Sequence, residues 1–393
     1  MKILLIGTGE MGRAIAGHLI QHREIDTIYV AARELSAARD LGQRINDQRI
    51  IPLQLDPTAL RAVREVMDDC AAAISLAPYF LNGALAEAAV ETKTHFCSLN
   101  NEDTALQAQL ALNSAAKEAG VTIIPRCDLV SGGIGLLALA AMEKFTHIKS
   151  LQIHFGLLAQ QKSGLSLCRI FSSPRAFIRA CVTPATLIRR GNVVTVNSLT
   201  EVEPLSFTSL PGPLEAFNIA GGAALLPLLT DRKVENFTYK AVAFRGCCAK
   251  IQALVDLGLF GEEPVQIDGQ EIIPCELMVK LLGDRLCYLT PDVLLVRITA
   301  QGICDCTEPT VDVKGVKTLT YELIQHHDRC SAQPAMVRVN SAVIAVIAWM
   351  LVSGKIEKHG ALVPELSVPA PLFITELEEH GITIDKRMVK DVF

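Results

Sequence analysis

The apolar run KILLI at residues 2–6 opens directly into Gly7-Thr8-Gly9-Glu10-Met11-Gly12, followed by the helical stretch RAIAGHLIQH. That order of strand, glycine turn and helix leaves few folds open, because each glycine has its own steric task. The first makes the tight turn, the second lets the backbone approach a pyrophosphate, and the third lets the helix lie close against the strand. The start of the helix then presents unpaired N–H groups to the phosphates. A second apolar run, TIYVAA, ends 20 residues after Gly12, the spacing of a βαβ dinucleotide-binding unit. Gly7, Thr8, Gly9, Glu10, Met11 and Gly12 are therefore the expected cofactor loop.

The same rhythm continues to residue 125. The runs KILLIG, TIYVAA, IIPLQL, AAAISLA, HFCSL and VTIIP alternate with amphipathic stretches, the pattern of a doubly wound parallel sheet. From 126 to 330 the texture changes to β-branched alternation and Gly/Pro turns, as in SLQIHFGLLAQ and VLLVRITAQG, broken by a helix at 250–259. This predicts an inserted α/β domain built on a mixed, largely antiparallel sheet. From 331 to 393 come the nearly all-apolar helix PAMVRVNSAVIAVIAWMLVSGKI and the polar helix PLFITELEEHG. A helix that apolar needs burial on several sides, so these C-terminal helices are expected to return to the interdomain region and pack back on the Rossmann domain.

Composition narrows the partners. A net charge of -5 with no Lys/Arg cluster gives no concentrated basic face for nucleic acid or an anionic membrane. The most apolar uncharged run, 339–354, has 16 residues, short of the roughly 20 that cross a bilayer. The N-terminal apolar run breaks into glycines with no small-residue cleavage site after it, which is not a secretory signal. We expect a cytoplasmic protein whose twelve cysteines are thiols. Cys304-x-Cys306 and Cys247-Cys248 have no second pair or histidine at zinc spacing, so no metal site is expected.

The second strand chooses between cofactors. It ends in Ala32-Arg33, where an NAD-binding unit carries a carboxylate for the adenine ribose. A small residue leaves room for a 2'-phosphate and a guanidinium pairs with it, so the strand reads as an NADP(H) site. Glu34, one place beyond Arg33, is the acid that would make it an NAD(H) site instead. Asp56 ends the third strand and is placed to flank the adenine, and Ala77-Pro78 to floor the nicotinamide ribose, by the rule that ligands bind at the carboxyl ends of the strands.

Further segments carry a resemblance. GTGEMG, PRCDLVSGGIGLLALA, TPATLIRRGNVVTVNSLTEVEPLSF, GPLEAFNIAGGAALLP, YKAVAFRGCCAKIQALVDLGLF and PAMVRVNSAVIAVIAWMLVSGKI together resemble the saccharopine dehydrogenase-like family, in its lysine 6-dehydrogenase and glutamate-forming saccharopine reductase branches. The resemblance implies a Rossmann domain with an inserted α/β substrate domain, oxidoreduction at a carbon–nitrogen bond of an amino acid or a derived imine, and commonly a homodimer. It also implies a changed substrate, because the family arginine that suits a carboxylate falls on Ala243 and the family histidine on Cys247. Arg245 is the nearest cation to take that arginine's place.

The reaction needs a group that manages the amine proton. Asp128, Cys127, His154 and Tyr79 are the candidates, with Asn100, Arg245 and Cys247 expected beside the substrate. Asp128 also suits a helix cap, and His154 an ordinary sheet position. The rival reading is a protein that binds NADPH without catalysis and acts as a redox sensor or assembly partner.

Overall fold

The computed structural model describes all residues except 100–101, 161–172, 208–209, 211, 222–232, 286–290, 305–315, 330 and 391–393. The chain forms two compact units, Met1–Leu139 with Val337–Ile382, and Ala140–Met336 with Thr383–Phe393.

The first unit is built on a parallel sheet. Its strands β1 (Lys2–Ile6), β2 (Thr27–Ala32), β3 (Ile50–Gln54), β4 (Ala72–Ser75), β5 (His95–Ser98) and β6 (Thr122–Ile124) stand where the six apolar runs placed them. Gly360–Ala361 adds a two-residue strand beside β6, giving the order 360–361, β6, β5, β4, β1, β2, β3. Ile3, Leu4, Leu5, Ala72, Ala73 and Ile74 are wholly buried, as the central strands of a sheet covered on both faces must be. Helix α1 (Glu10–Leu19) follows β1 and helix α2 (Leu35–Ile45) follows β2.

The helix Ala335–Val352 has 18 residues with a mean hydropathy of 2.0, long and apolar enough to cross a membrane by length and composition alone; 72% of it is buried inside the protein. Its residues from Ala342 to Ala348 have no exposed surface, the condition under which an all-round apolar helix is stable in a core.

The second unit is a mixed, largely antiparallel sheet, in the order Glu203–Leu205, Leu214–Asn218, Val234–Phe244, His147–Ala159, Asp292–Ile303, Val316–His326, Asp385–Lys390. Along this path only the pair formed by 234–244 and 147–159 is parallel. The expected helix at 250–259 begins earlier, at Cys247, and ends at Asp256, because Gly246 in the left-handed region (φ 87°) turns the chain straight from strand to helix.

Candidate active site

β1 and β4 lie side by side, and the chain leaves them in opposite directions across the sheet. Such a reversal opens a crevice at the carboxyl ends of the two strands. The glycine loop sits there, with the Gly7 N–H donating to Ala31 O at 2.9 Å and the Leu76 N–H donating to Ile6 O at 2.9 Å. Gly7 has φ +125°, and a Cβ on it would stand 2.9 Å from Leu76 Cβ; a Cβ on Gly12 would run into the Gly7 carbonyl oxygen. Gly9 differs, since a Cβ there meets nothing within 4 Å. Two glycines thus hold strand and helix together, and the third leaves open space where a pyrophosphate would approach. Beside the loop lies a cleft of about 270 Å³ lined by Thr8, Gly9, Glu10, Arg13, Asp40, Leu41 and Arg44.

At the end of β2, Ala32 is half-buried while Arg33 and Glu34 are exposed. Gln54 Nε2 donates to Arg33 O at 3.1 Å. Asp56 accepts from the Thr58 N–H at 2.9 Å and the Thr58 hydroxyl at 2.8 Å. These bonds hold its carboxyl below the usual range, and Arg33 adds a weaker pull. Asp56 is thereby kept as an anion on the Arg33 side of the sheet end.

After β4, Ala77 is half-buried and Pro78 exposed. Tyr79 and Phe80 stand exposed in an edge-to-face pair with centroids 5.8 Å apart. After β6 the chain turns sharply. Arg126 takes φ +60°, a conformation that costs a non-glycine residue roughly 1–3 kcal/mol. Cys127 is wholly buried, its thiol donating to Ile124 O at 3.1 Å. Burial and the neighbouring Cys97 push that thiol well above its ordinary range, which suppresses the thiolate that reactive cysteines need. Asp128 Oδ1 accepts from the Ser131 N–H at 2.9 Å and caps a π-turn at Leu129–Gly133. Asn100 lies outside the described residues.

One residue in this region escaped sequence reasoning. Glu365 follows the strand Gly360–Ala361, as Asp128 follows β6, and it is half-buried. Burial, with the Asp128 charge adding to it and the Arg126 charge opposing it, raises its carboxyl to about 7 from 4.5. Because the folded value lies above the unfolded one, the stability this group allows is fully present below about 4.5 and lost as the pH rises through about 7. Glu365→Gln should therefore stabilise the protein above about pH 8 by roughly 1–3 kcal/mol, after discount for partial exposure, and by almost nothing below about pH 4.5. Denaturant melts at the two pH values check this; an equal change at both would show that the carboxyl is not perturbed.

In the second unit His154 belongs to a polar row. Asn218, Lys240, His154, Arg297, Glu322 and Asp385 are direct neighbours on six adjoining strands. Glu203 ties the row together, accepting from Lys240 Nζ at 2.9 Å and lying 3.1 Å from His154 Nε2. Arg297 pairs with Glu322 and covers the Phe207 ring at 4.1 Å. Residues alternate between faces along a strand, so Ala241 and Ala243 project from the face opposite Lys240. Glu215, directly across from Ala243, is buried and accepts from the Gly246 N–H at 2.8 Å and the Cys248 N–H at 2.7 Å. Cys247 is buried at the start of the helix, and Arg245 is exposed. The proposed substrate residues Arg245 and Cys247 therefore lie in one turn, while His154 belongs to the polar row.

Comparison with known proteins matches the chain in two successive segments. Residues 3–124 match the family described as saccharopine dehydrogenase NADP binding domain, and residues 140–382 the saccharopine dehydrogenase C-terminal domain. Saccharopine dehydrogenase [NADP(+), L-glutamate-forming] of Saccharomyces cerevisiae is 26% identical over 301 residues, covering 72% of this chain and 64% of that protein. The match thus spans just under two thirds of the relative's length. The apo structure of saccharopine dehydrogenase (L-Glu forming) from Saccharomyces cerevisiae shares the fold across 99% of each chain, with a TM-score of 0.79 and 18% identity.

Proposed function

The chain belongs to the saccharopine dehydrogenase family, and on that premise we propose that it is an NADPH-dependent oxidoreductase acting at a carbon–nitrogen bond, reducing an imine or oxidising the corresponding amine of an amino acid or its derivative. The observation that carries this reading is the end of β2, where half-buried Ala32 leaves room and Arg33 offers an exposed guanidinium, together with the open space at Gly9. A carboxylate at that point would bond the ribose hydroxyls and repel a 2'-phosphate; an arginine does the reverse. Bound NADPH supplies a hydride from its nicotinamide. The protein's share is to orient the substrate and manage the nitrogen's proton.

The substrate is read as other than lysine or saccharopine. What supports this is the face around Ala243, where the buried Glu215 carboxylate lies directly across the strand pair. A substrate carboxylate brought against that face would meet a like charge instead of a cation. Arg245 lies at the surface beyond the strand.

Two measurements test the reading. Ala32→Asp with Arg33→Ala should weaken NADPH by about one to three orders of magnitude, at about 1.4 kcal/mol per tenfold, while sparing or improving NADH. Titrating both cofactors against both proteins decides it, and unchanged NADPH affinity would remove Arg33 from the cofactor site. Wild type with NADPH and a panel of amino-acid and keto-acid pairs tests the chemistry. Tight NADPH binding with no turnover across the panel would favour the sensor over the enzyme.

A further inference from the structure

Two carboxyl groups leave the carboxyl ends of neighbouring parallel strands in the first unit. β6 ends at Ile124 and Asp128 follows; the strand Gly360–Ala361 pairs with β6 in parallel, and Glu365 follows it. Ligands of open parallel sheets bind on the side of the strands' carboxyl ends, the side on which both carboxyls follow.

Glycines bring the two segments together. A Cβ on Gly132 would stand 2.6 Å from Pro364 Cγ, and a Cβ on Gly135 would strike Glu365 Oε1. Only glycine at both positions lets 364–365 nest against the π-turn, and π-turns occur frequently at functional sites.

The two carboxyls are not equivalent. Asp128 spends an oxygen on the Ser131 N–H to hold the π-turn. Among the described residues, Glu365 accepts from its own backbone N–H and feels the opposed charges of Arg126 and Asp128. Arg126, whose charge acts on both, is in a left-handed conformation; its buried Nε has no hydrogen-bond partner among the described residues, and its Nη2 is 3.4 Å from Asp103.

From this juxtaposition, and resting on the functional reading above, we infer that Glu365 carries the proton exchanged with the substrate nitrogen, with Asp128 and Arg126 as positioning residues. In the reducing direction a hydride forms the new C–H bond on the imine carbon as NADPH is oxidised. The imine nitrogen forms its N–H bond with the Glu365 proton, whose O–H bond breaks to leave a carboxylate that solvent reprotonates. The charged groups that face Glu365 are Arg126 and Asp128, with Asp103 behind Arg126. A carboxyl titrating at about 7 is matched to this exchange near neutral pH.

The test uses the full chain, NADPH, and the imines formed by the same panel of amino-acid and keto-acid pairs. Glu365→Gln should lower kcat by about a hundred- to ten-thousand-fold with NADPH affinity unchanged. The fall in wild-type kcat above about pH 7 should vanish in the variant. Gly135→Ala, which displaces the carboxyl without removing it, should lower kcat and move that limb while sparing NADPH affinity. A protonated-carboxyl band in the infrared difference between wild type and Glu365→Gln should titrate over the same range. If wild type turns over a panel substrate and Glu365→Gln keeps its rate and pH limb, the assignment is wrong while the functional reading stands. If wild type binds NADPH and reduces nothing in the panel, the functional reading fails and this assignment with it.

Discussion

Gly9→Val should abolish dinucleotide binding without touching the fold, whereas Gly12→Ala should damage the fold itself. The two glycines sit three residues apart, Gly9 capping α1 and Gly12 inside its first turn, and the difference follows from what surrounds them. Gly9 has φ -64° and ψ -172°, a backbone any residue adopts, and open space where its Cβ would go. A branched side chain fits the protein there but fills the path of the pyrophosphate, so affinity for NADPH and NADH alike should fall by more than about a hundredfold, about 2.7 kcal/mol. A Cβ on Gly12 meets the Gly7 carbonyl oxygen first and Leu76 Cδ1 at 3.5 Å. The first obstacle is backbone, which cannot rotate away as a side chain does. The helix must lift from the strand, at about 3 kcal/mol, the upper end of what overpacking usually costs. Thermal melts and cofactor fluorescence separate the outcomes. Normal NADPH binding by Gly9→Val would place the pyrophosphate elsewhere.

This loop was legible in the sequence because everything that defines it is local. Strand, turn and helix are contiguous, and the spacing of three glycines encodes the sterics directly. The end of β2 was legible for the same reason. Glu365 was not, because its meaning depends on a two-residue strand, Gly-Ala, too short for any periodicity. That strand finds its place only through contacts far away in the chain, such as the Thr122 hydroxyl donating to Lys358 O at 2.8 Å, 236 residues on. Asp128 shows a partial case. The sequence contained the capping geometry, and the structure realises it at Ser131, but as the cap of a π-turn, which nothing in the spacing of PRCDLVSGG announces. His154 lay on the expected alternating strand. Which residues stood beside it was not readable, since its neighbours Lys240 and Arg297 come from strands whose register only tertiary pairing sets.

That polar row yields the largest stability loss expected from a single side chain in the second unit. Lys240 is 5% exposed and its ammonium has Glu203 Oε2 at 2.9 Å and Glu201 O at 2.9 Å. Glu203→Ala removes the only one of those two partners that carries charge, and takes from His154 Nε2 its partner at 3.1 Å as well. A buried charge left uncompensated costs about 3–5 kcal/mol, while replacing a buried pair by apolar side chains of similar volume is often neutral. Glu203→Ala should therefore cost about 1–3 kcal/mol, below that range because the Glu203 side chain is 45% exposed and Glu201 O remains, and the double variant Glu203→Ala with Lys240→Met should recover most of the loss. The acid side follows from the same carboxylate. Bonds from His154 first and Lys240 second hold Glu203 down at about 2. A depressed carboxyl contributes stability above its unfolded value and loses it as the pH falls. The gap between wild type and Glu203→Ala should then be full at neutral pH and close as the pH falls from about 4.5 towards about 2. Denaturant unfolding of wild type, single and double variants across that range is the measurement. Equal losses in the single and double variants would mean that the stranded ammonium is not the source of the cost, and that Glu203 acts through its packing and its bond to His154 instead.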